Sequence, residues 1–451
     1  MNRALTRRNF LLTTIMILLL LGGMSAYVLT RHQPERLPGS VRRPSFSYLL
    51  VGGQNGTWFR DGQAPRLYYV TLPNYSVASI VPVPSQGTVW TGAWNGSQWL
   101  ISGWGTDPGP VGSNPYIYLD NGQGPVLGEQ VNQYQQEASW HGGDIFAASY
   151  NGSDWLLSGL GSGVLGNYSE PTNHMAAALF DGTNFTDLST GIPDQWDAIL
   201  YTSAWNGHYW LVGGGYEGDS GVLFRYDGVN FTDIGSEQWK IQFHSVQAIH
   251  WNGNYWLIGG VGFLMKYDGE NFTDLTPELD QVLDSSHEVN YKSCCNAVNA
   301  LSWNGSSWMI GGGAPISVTQ PLTAWAVSFD GEKFINLTPL ISNLTNAAHP
   351  SSILSITSVL SSWYFGGFSN GKAMLFSYAN STITDLSNLI NPDMTVVNWV
   401  GGLFGVPKIS QTHTPQTGTA DADFGTSISS AYLYSFLAFS VELADKIKMK
   451  P

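Results

Sequence analysis

Apolar runs too short for helices, each broken by Asn-Gly, Asp-Gly or a pair of glycines, follow one another from Ser47 to Val400. Two copies of the recurring string show the pattern, Ala204-Trp205-Asn206-Gly207-His208-Tyr209-Trp210-Leu211-Val212-Gly213-Gly214 and Trp251-Asn252-Gly253-Asn254-Tyr255-Trp256-Leu257-Ile258-Gly259-Gly260. Each unit reads as four strands. The first ends at the aromatic before Asn-Gly (Val89 to Trp94, Ile145 to Tyr150, Val246 to Trp251, Val298 to Trp303), and the second follows (Trp99 to Gly103, Trp155 to Gly159, Trp308 to Gly312, Trp363 to Gly367). A third ends in Asp-Gly at Asp181, Asp227, Asp268 and Asp330, and a fourth covers Asn184 to Leu188, Asn230 to Ile234, Asn271 to Leu275 and Lys333 to Leu337. Asn-Gly is a strong hairpin signal, because the favoured two-residue turn needs positive φ at both positions.

The second-strand tryptophans Trp99, Trp155, Trp210, Trp256, Trp308 and Trp363 are spaced by 56, 55, 46, 52 and 55 residues, a period that marks a repeat array rather than three ordinary domains. A further copy, Ser47 to Gly53, starts at strand two with no first strand ahead of it, and Thr395 to Val400 reads as a lone first strand after the last unit. Joining these leftovers leaves no open sheet edge, so the sequence predicts an all-β, closed seven-bladed β-propeller over residues 44–406.

The double glycine, the Tyr-Asp pair and the aromatic of strand four resemble the kelch repeat over about 360 residues. Phe185, Phe231, Phe272 and Phe334 stand where kelch blades carry tryptophan. The resemblance implies a propeller in a family that hosts both protein-binding scaffolds and a copper-oxidase lineage, and so does not choose between them.

Recurring residues read as structural. Trp94, Trp205, Trp251 and Trp303, like the second-strand tryptophans, serve blade packing, and Asp187, Asp233, Asp274 and Asp385 serve turns rather than cations.

Short turns place one face of the disk under Asn-Gly and Asp-Gly links. The other face takes the long ones: Trp104 to Tyr116, Glu129 to Asp144, Leu160 to Met175, Gly235 to Val246, Thr276 to Ala297, Ala314 to Thr323 and Ser342 to Leu354. Variable loops on a rigid scaffold are where binding resides. Their non-repeating polar and aromatic residues are the candidate binding set: Trp140, His141, Asp144, Trp196, Tyr216, Glu217, Trp239, His244, His287, Glu288 and Tyr291, with His174 and Asp197 beside them.

Phe10 to Leu29 is an uncharged stretch long enough to span a bilayer, following Arg3, Arg7 and Arg8. It divides the chain into a cytoplasmic 1–9, a transmembrane signal anchor 10–29, a linker 30–43, the propeller, a Ser/Thr/Pro-rich spacer 407–430 and a short amphipathic or apolar helix 431–451. Thr6 to Leu12 also resembles a twin-arginine export signal, and both export routes stay open. Either way the bulk of the chain is expected outside the cytoplasm, tethered at the cell surface. Sequons such as Asn95-Gly96-Ser97, Asn230-Phe231-Thr232 and Asn304-Gly305-Ser306 agree, although the repeat alone generates them.

The net charge of −14, with 19 Lys and Arg spread along 451 residues, argues against nucleic acid. The two cysteines, Cys294 and Cys295, are adjacent and staple nothing; with His287 and Glu288 they match no compact zinc spacing. Copper chemistry of the oxidase type needs a cysteine cross-linked to tyrosine, and Tyr291 alone lies near the cysteines in sequence. No cofactor and no catalytic residue is predicted. The expected function is a recognition or scaffold module for protein or glycan, membrane-anchored and kelch-like. The alternative is an extracytoplasmic hydrolase or metal-dependent oxidoreductase with its site at the channel mouth.

Overall fold

The computed structural model describes residues 45–55, 64–79, 86–106, 114–120, 143–161, 174–193, 198–216, 221–235, 244–284, 296–313, 323–345, 349–390, 394–407 and 422–423. These residues are all-β, built mainly from four-stranded antiparallel sheets in the manner of a β-propeller. The first sheet holds β1 (Ser45–Asn55), β2 (Ala64–Leu72) and β3 (Val77–Ser79), and the second β4 (Gln86–Trp94), β5 (Trp99–Thr106) and β6 (Asn114–Asp120). Next come β7 (Asp144–Tyr150), β8 (Trp155–Gly161), β9 (His174–Phe180) and β10 (Phe185–Asp187), then β11 (Ala198–Trp205), β12 (Trp210–Tyr216), β13 (Gly221–Tyr226) and β14 (Phe231–Asp233). The fifth sheet is β15 (Val246–Trp251), β16 (Trp256–Gly260), β17 (Phe263–Tyr267) and β18 (Phe272–Asp274). The sixth is β19 (Ala297–Trp303), β20 (Trp308–Gly313), β21 (Trp325–Phe329) and β22 (Phe334–Asn336); a single pair, Gly313 with Ser352, ties it to β23 (Ser351–Val359), β24 (Ser362–Ser369), β25 (Lys372–Ala379) and β26 (Thr382–Asp385).

The last long strand, β27 (Val396–Pro407), pairs antiparallel with β1, from Gln54 opposite Val396 to Ser45 opposite Pro407. This is the partnership the two leftover fragments predict. The first strands adjoin in the order β4, β7, β11, β15, β19, β23, β27, and β27 lies against β4. A two-residue strand, β28 (Ala422–Asp423), pairs with Gly402 and Leu403 of β27, inside the segment expected to be a spacer. An edge with unpaired N–H and C=O groups recruits such a strand even from a polar tract.

The core lies between sheets. Trp99, Trp155, Trp210, Trp256 and Trp308 are fully buried, and each sits in a cluster that includes residues of the preceding sheet, as Trp155 does with Ala93, Leu100 and Ile117. At about 25 cal/mol per Å² and roughly 200 Å² per indole, each contributes about 5 kcal/mol before entropy. Four of the indoles are also hydrogen-bonded across the sheet gap: Trp99 Nε1 donates to Tyr48 Oη at 3.1 Å, Trp256 Nε1 to Tyr209 Oη at 3.4 Å, Trp308 Nε1 to Tyr255 Oη at 2.9 Å and Trp155 Nε1 to the backbone oxygen of Ala93 at 3.2 Å. Arg225 and Lys266 cap the outer faces of Tyr209 and Tyr255 at 4.2 Å from each ring centre.

The turns correct one expectation. At the links from strand one to two and from three to four, Asn-Gly and Asp-Gly form no two-residue hairpin; both open the same four-residue loop, with Trp94 opposite Trp99 and Tyr226 opposite Phe231. Asn95 Oδ1 accepts the N–H groups of Ser97 and Gln98 at 2.9 and 2.7 Å, and Asp227 Oδ1 those of Val229 and Asn230 at 2.9 and 2.8 Å. A side chain that satisfies two turn amides makes a second positive-φ residue unnecessary; the glycine alone takes it, φ +98° at Gly96 and +96° at Gly228. These amides hold the carboxyls of Asp227, Asp268 and Asp330 below their ordinary value, while at Asp181 the side-chain amide of Asn184 contributes most.

The strand-four aspartates do serve turns. Asp274 Oδ1 accepts the Thr276 amide at 2.9 Å, and Thr276 Oγ1 accepts the Leu264 amide of β17 at 2.9 Å, starting the helix α1 (Thr276–Val282). Asp187 with Ser189 and Asp385 with Ser387 repeat the device, as does Asn336 with Thr338 at the head of α2 (Thr338–Ile341). The first helix falls where a long loop was expected, and the second just ahead of another. No helix among the described residues is long and apolar enough to cross a membrane; the predicted span 10–29 and the terminal helix 431–451 lie outside them.

Candidate functional site

Each first strand carries one extra residue at the same place. The pairing with strand two skips Trp90, Phe146, Tyr201, Gln247, Asn299 and Leu354, and the pairing of β27 with β1 skips Asn398. Such β-bulges bend the strand and re-aim a side chain. All seven bulges sit toward the start of the first strand, the end at which the long connections enter and leave.

The seven residues are buried, and they divide by chemistry. Trp90, Phe146 and Tyr201 meet in succession, ring centres 5.4 and 5.9 Å apart, in a cluster with Leu160 and Ile199 and with the partly exposed Trp104 on its flank. Leu354 packs with Phe368 and Val396. The other three are carboxamides. Gln247 Nε2 donates to Ser245 Oγ at 2.6 Å, Asn299 Nδ2 to Ser352 Oγ at 2.8 Å, and Asn398 Nδ2 to Thr88 Oγ1 at 2.8 Å and Val89 O at 3.2 Å. Their carbonyl oxygens are buried without a hydrogen-bond partner. The side chains at this level thus form an aromatic arc over three sheets and an amide arc over the rest, interrupted by Leu354.

The bulge also explains the double glycine. It pushes the carbonyl of the residue two before it toward strand two, so a Cβ on the second glycine would lie 2.0 Å from Thr88 O at Gly103, 1.9 Å from Asp144 O at Gly159 and 2.2 Å from Ser245 O at Gly260. The first glycine instead receives a β-branched side chain of the following sheet, as Gly259 receives Val298.

Of the predicted binding residues, three fall among the described ones, all at this end of the sheets. Asp144 opens β7 two residues before the bulged Phe146 and is buried; Tyr216 closes β12 opposite Ala198; His244 is half-buried just ahead of β15. Trp140, His141, Trp196, Glu217, Trp239, His287, Glu288 and Tyr291, with Cys294 and Cys295, lie outside the described residues. His174 opens β9 and is fully buried. Two links on this face are tight: β16 turns into β17 through Val261 and Gly262, and β24 into β25 through Asn370 and Gly371. Among the described residues no group of three His, Cys, Asp or Glu side chains is placed to hold a metal ion.

Sequence reasoning missed the bulge ring, although a signal was present. In the six units complete in sequence, the bulged residue precedes the second glycine by 13 positions, from Trp90 and Gly103 to Leu354 and Gly367.

No protein-family model and no curated protein matches the chain. In three dimensions it is similar to the β-propeller domain of the Trilobed protease from Pyrococcus furiosus, with 8% identity and a TM-score of 0.40 over 72% of this chain and 91% of that one. It is also similar to Pyrococcus horikoshii acylaminoacyl peptidase, with 14% identity and a TM-score of 0.37 over 68% of this chain and 48% of the other. A third likeness is to Trypanosoma rangeli sialidase in complex with sialic acid, with 11% identity and a TM-score of 0.41 over 74% and 58%. The chain spans about half the length of the peptidase and the sialidase.

Proposed function

We propose that the sheets close into a seven-bladed, kelch-like propeller that acts as a recognition module, held at the outer side of a membrane by residues 10–29. Its contact surface is the face where the first strands begin, and its ligand is a glycan or glycosylated protein. The observation that carries this reading is the partly exposed Trp104, seated on the buried aromatic arc of Trp90, Phe146 and Tyr201 that backs it. Aromatic faces supply large contact area at low entropic cost, and sugar rings stack on them. In sequence, Trp140 and Trp196 precede β7 and β11, the strands that carry Phe146 and Tyr201, and Trp239 belongs to the connector that leads to β15. The opposite face carries the near-identical four-residue loops, whose side chains are consumed in capping their own turns.

A glycan array probed with the full chain in detergent tests this. Binding that disappears in Trp104→Ala and survives in Val229→Asp, on the opposite face, supports the reading. Equal loss in both variants, or no binding to any glycan, overturns it.

A further inference from the structure

Twelve Asn-x-Ser/Thr sequons run along the chain, and eight of them put the asparagine in one kind of place, a link from strand one to two or from three to four. Asn95, Asn151 and Asn304 open first-to-second links, and Asn184, Asn230 and Asn271 close third-to-fourth ones. Asn74 stands between β2 and β3, and Asn380 between β25 and β26. In all eight the serine or threonine is exposed, and each asparagine is exposed or half-buried. A Cβ at Gly96, Gly152 or Gly305 would meet nothing within 4 Å, so the ground beside three of these asparagines is open. Asn95, Asn151 and Asn304 spend Oδ1 on turn amides, whereas a sugar would be joined to Nδ2, so cap and glycan use different atoms.

The repeat does not account for these sequons. The Asn-Gly loop asks only for a backbone N–H at its third position, which His208 and Asn254 supply at 2.9 Å, as Ser97 does. Strand four accepts Ile335 where other copies have Thr186, Thr232 and Thr273. The losses compensate one another: the sheets of β11 and β15, whose Asn-Gly loops lack the hydroxyl, have Thr232 and Thr273, and the sheet of β19, whose Asp-Gly loop leads into Ile335, has Ser306. Asn74-Tyr75-Ser76 and Asn380-Ser381-Thr382 lie outside the repeated string altogether. Each of the seven sheets, with β23 to β26 counted as one, therefore carries at least one sequon at this end. Of the other four, Asn336 commits its Nδ2 to Val282 O at 3.0 Å, Asn343 lies beyond α2 toward the long links, and those beginning at Asn55 and Asn167 run outside the described residues.

We infer that the face of short links is N-glycosylated, with at least one glycan on each sheet. The donor class is a sugar chain carried on a lipid phosphate outside the cytoplasm. Nδ2 attacks the sugar C1; the Nδ2–C1 bond forms as the bond from C1 to the phosphate oxygen breaks, Nδ2 gives up one proton, and the lipid phosphate leaves with the bonding pair. Bulky, hydrated chains on this face close it to partners and leave the long-link face as the one open to a ligand. The inference rests on the ring and the outward placement proposed above, since export is what brings the sequons to the donor.

The test is peptide mapping by mass spectrometry of the full chain taken from the cells that make it, after protease treatment of intact cells has shown which side it occupies. The expected result is carbohydrate on the short-link asparagines. Ser97→Ala keeps the amide that Asn95 caps and should strip the glycan from Asn95 alone, as Thr232→Val should from Asn230. His208→Ser completes a sequon at Asn206 and should add a glycan there. Bare peptides at all eight sites in a chain that the protease reaches would overturn the inference, and so would carbohydrate confined to Asn343. A chain that the protease cannot reach is the failure of the outward placement itself, recognised as such in the first step, and it takes the inference with it.

Discussion

The carbonyl oxygen of Ile199 lies 1.8 Å from the place a Cβ on Gly214 would occupy. The contact exists because Tyr201 is bulged out of the pairing between β11 and β12. Backbone meets backbone here, so no side-chain rotation relieves the clash. Gly214→Ala is expected to cost about 3 kcal/mol or more, the upper end of overpacking penalties. Gly213→Ala meets movable side-chain atoms of Val246 and Ile249 and should cost less, about 1–2 kcal/mol. Gly191→Ala, with open space around it, serves as the control. Urea unfolding of the three variants gives the ranking, and a Gly214→Ala midpoint equal to that of the control would refute the role assigned to the bulge.

Trp210 breaks the pattern of its neighbours. Trp99, Trp256 and Trp308 donate to Tyr48, Tyr209 and Tyr255, each on the residue just before the second-strand core of the preceding sheet. Ahead of Trp210 that position is Asp154, engaged with Ser153 Oγ, and Trp210 Nε1 is buried with no acceptor. Asp154→Tyr supplies the missing hydroxyl and ring, and should stabilise the fold by about 1 kcal/mol. Asp154→Leu, which adds apolar area without an acceptor, separates the hydrogen bond from packing. Equal melting temperatures for the two variants would rule the hydrogen bond out as the cause.

Tryptophans, paired glycines and turn aspartates made the sheets, their order and the partnership of β1 with β27 legible, because each repeats at a fixed place in the unit. The bulge ring was not legible from alternation, since one inserted residue leaves an apolar run apolar. Trp90 and Phe146 look like ordinary strand residues, and only the sheet pairing shows that they are skipped. The four-residue loops escaped for a similar reason: Asn-Gly satisfies two turn geometries, and the choice is made by the side-chain oxygen capping the two following amides. The tight links at Val261–Gly262 and Asn370–Gly371, which stand outside the long links named from the sequence, are closed directly by a glycine with positive φ. The candidate site was legible as a face, but not as particular side chains, because its residues come from seven strands.

The sheet of β23 to β26 departs from the others in its turns. Leu360 and Ser361 join β23 to β24 with φ of 54° and 65°, a two-residue turn of the twisted kind that suits Asn-Gly. Leucine and serine gain little there: left-handed backbone costs about 1–2 kcal/mol for residues with a Cβ, and Leu360 is largely exposed. The double change Leu360→Asn with Ser361→Gly should raise stability by about 1 kcal/mol and leave ligand binding unaltered, since the turn lies on the face opposite the long loops. Calorimetry showing a lower Tm would mean that Leu360 is held by a contact that outweighs its backbone strain.

His250 sets the acid side of the stability profile. It stands in β15 with its ring edge-on to Trp308 at 5.6 Å between centres, and burial holds its pKa down to about 4. An unfolded histidine protonates near 6.5, so between these values the unfolded chain binds the extra proton and the native state does not. Stability is therefore fully present above pH 6.5 and falls as the pH drops through the window toward 4. A full shift of this size is worth about 3 kcal/mol, and the partial exposure of the residue brings the expectation to about 1–2 kcal/mol. The turn carboxyls, held below their ordinary values, add their own loss at still lower pH. His250→Gln keeps a neutral polar side chain and removes the titration. Its unfolding free energy should be flat from pH 7 to 5 while that of the unaltered chain declines, and parallel curves for the two proteins would assign the decline to another group.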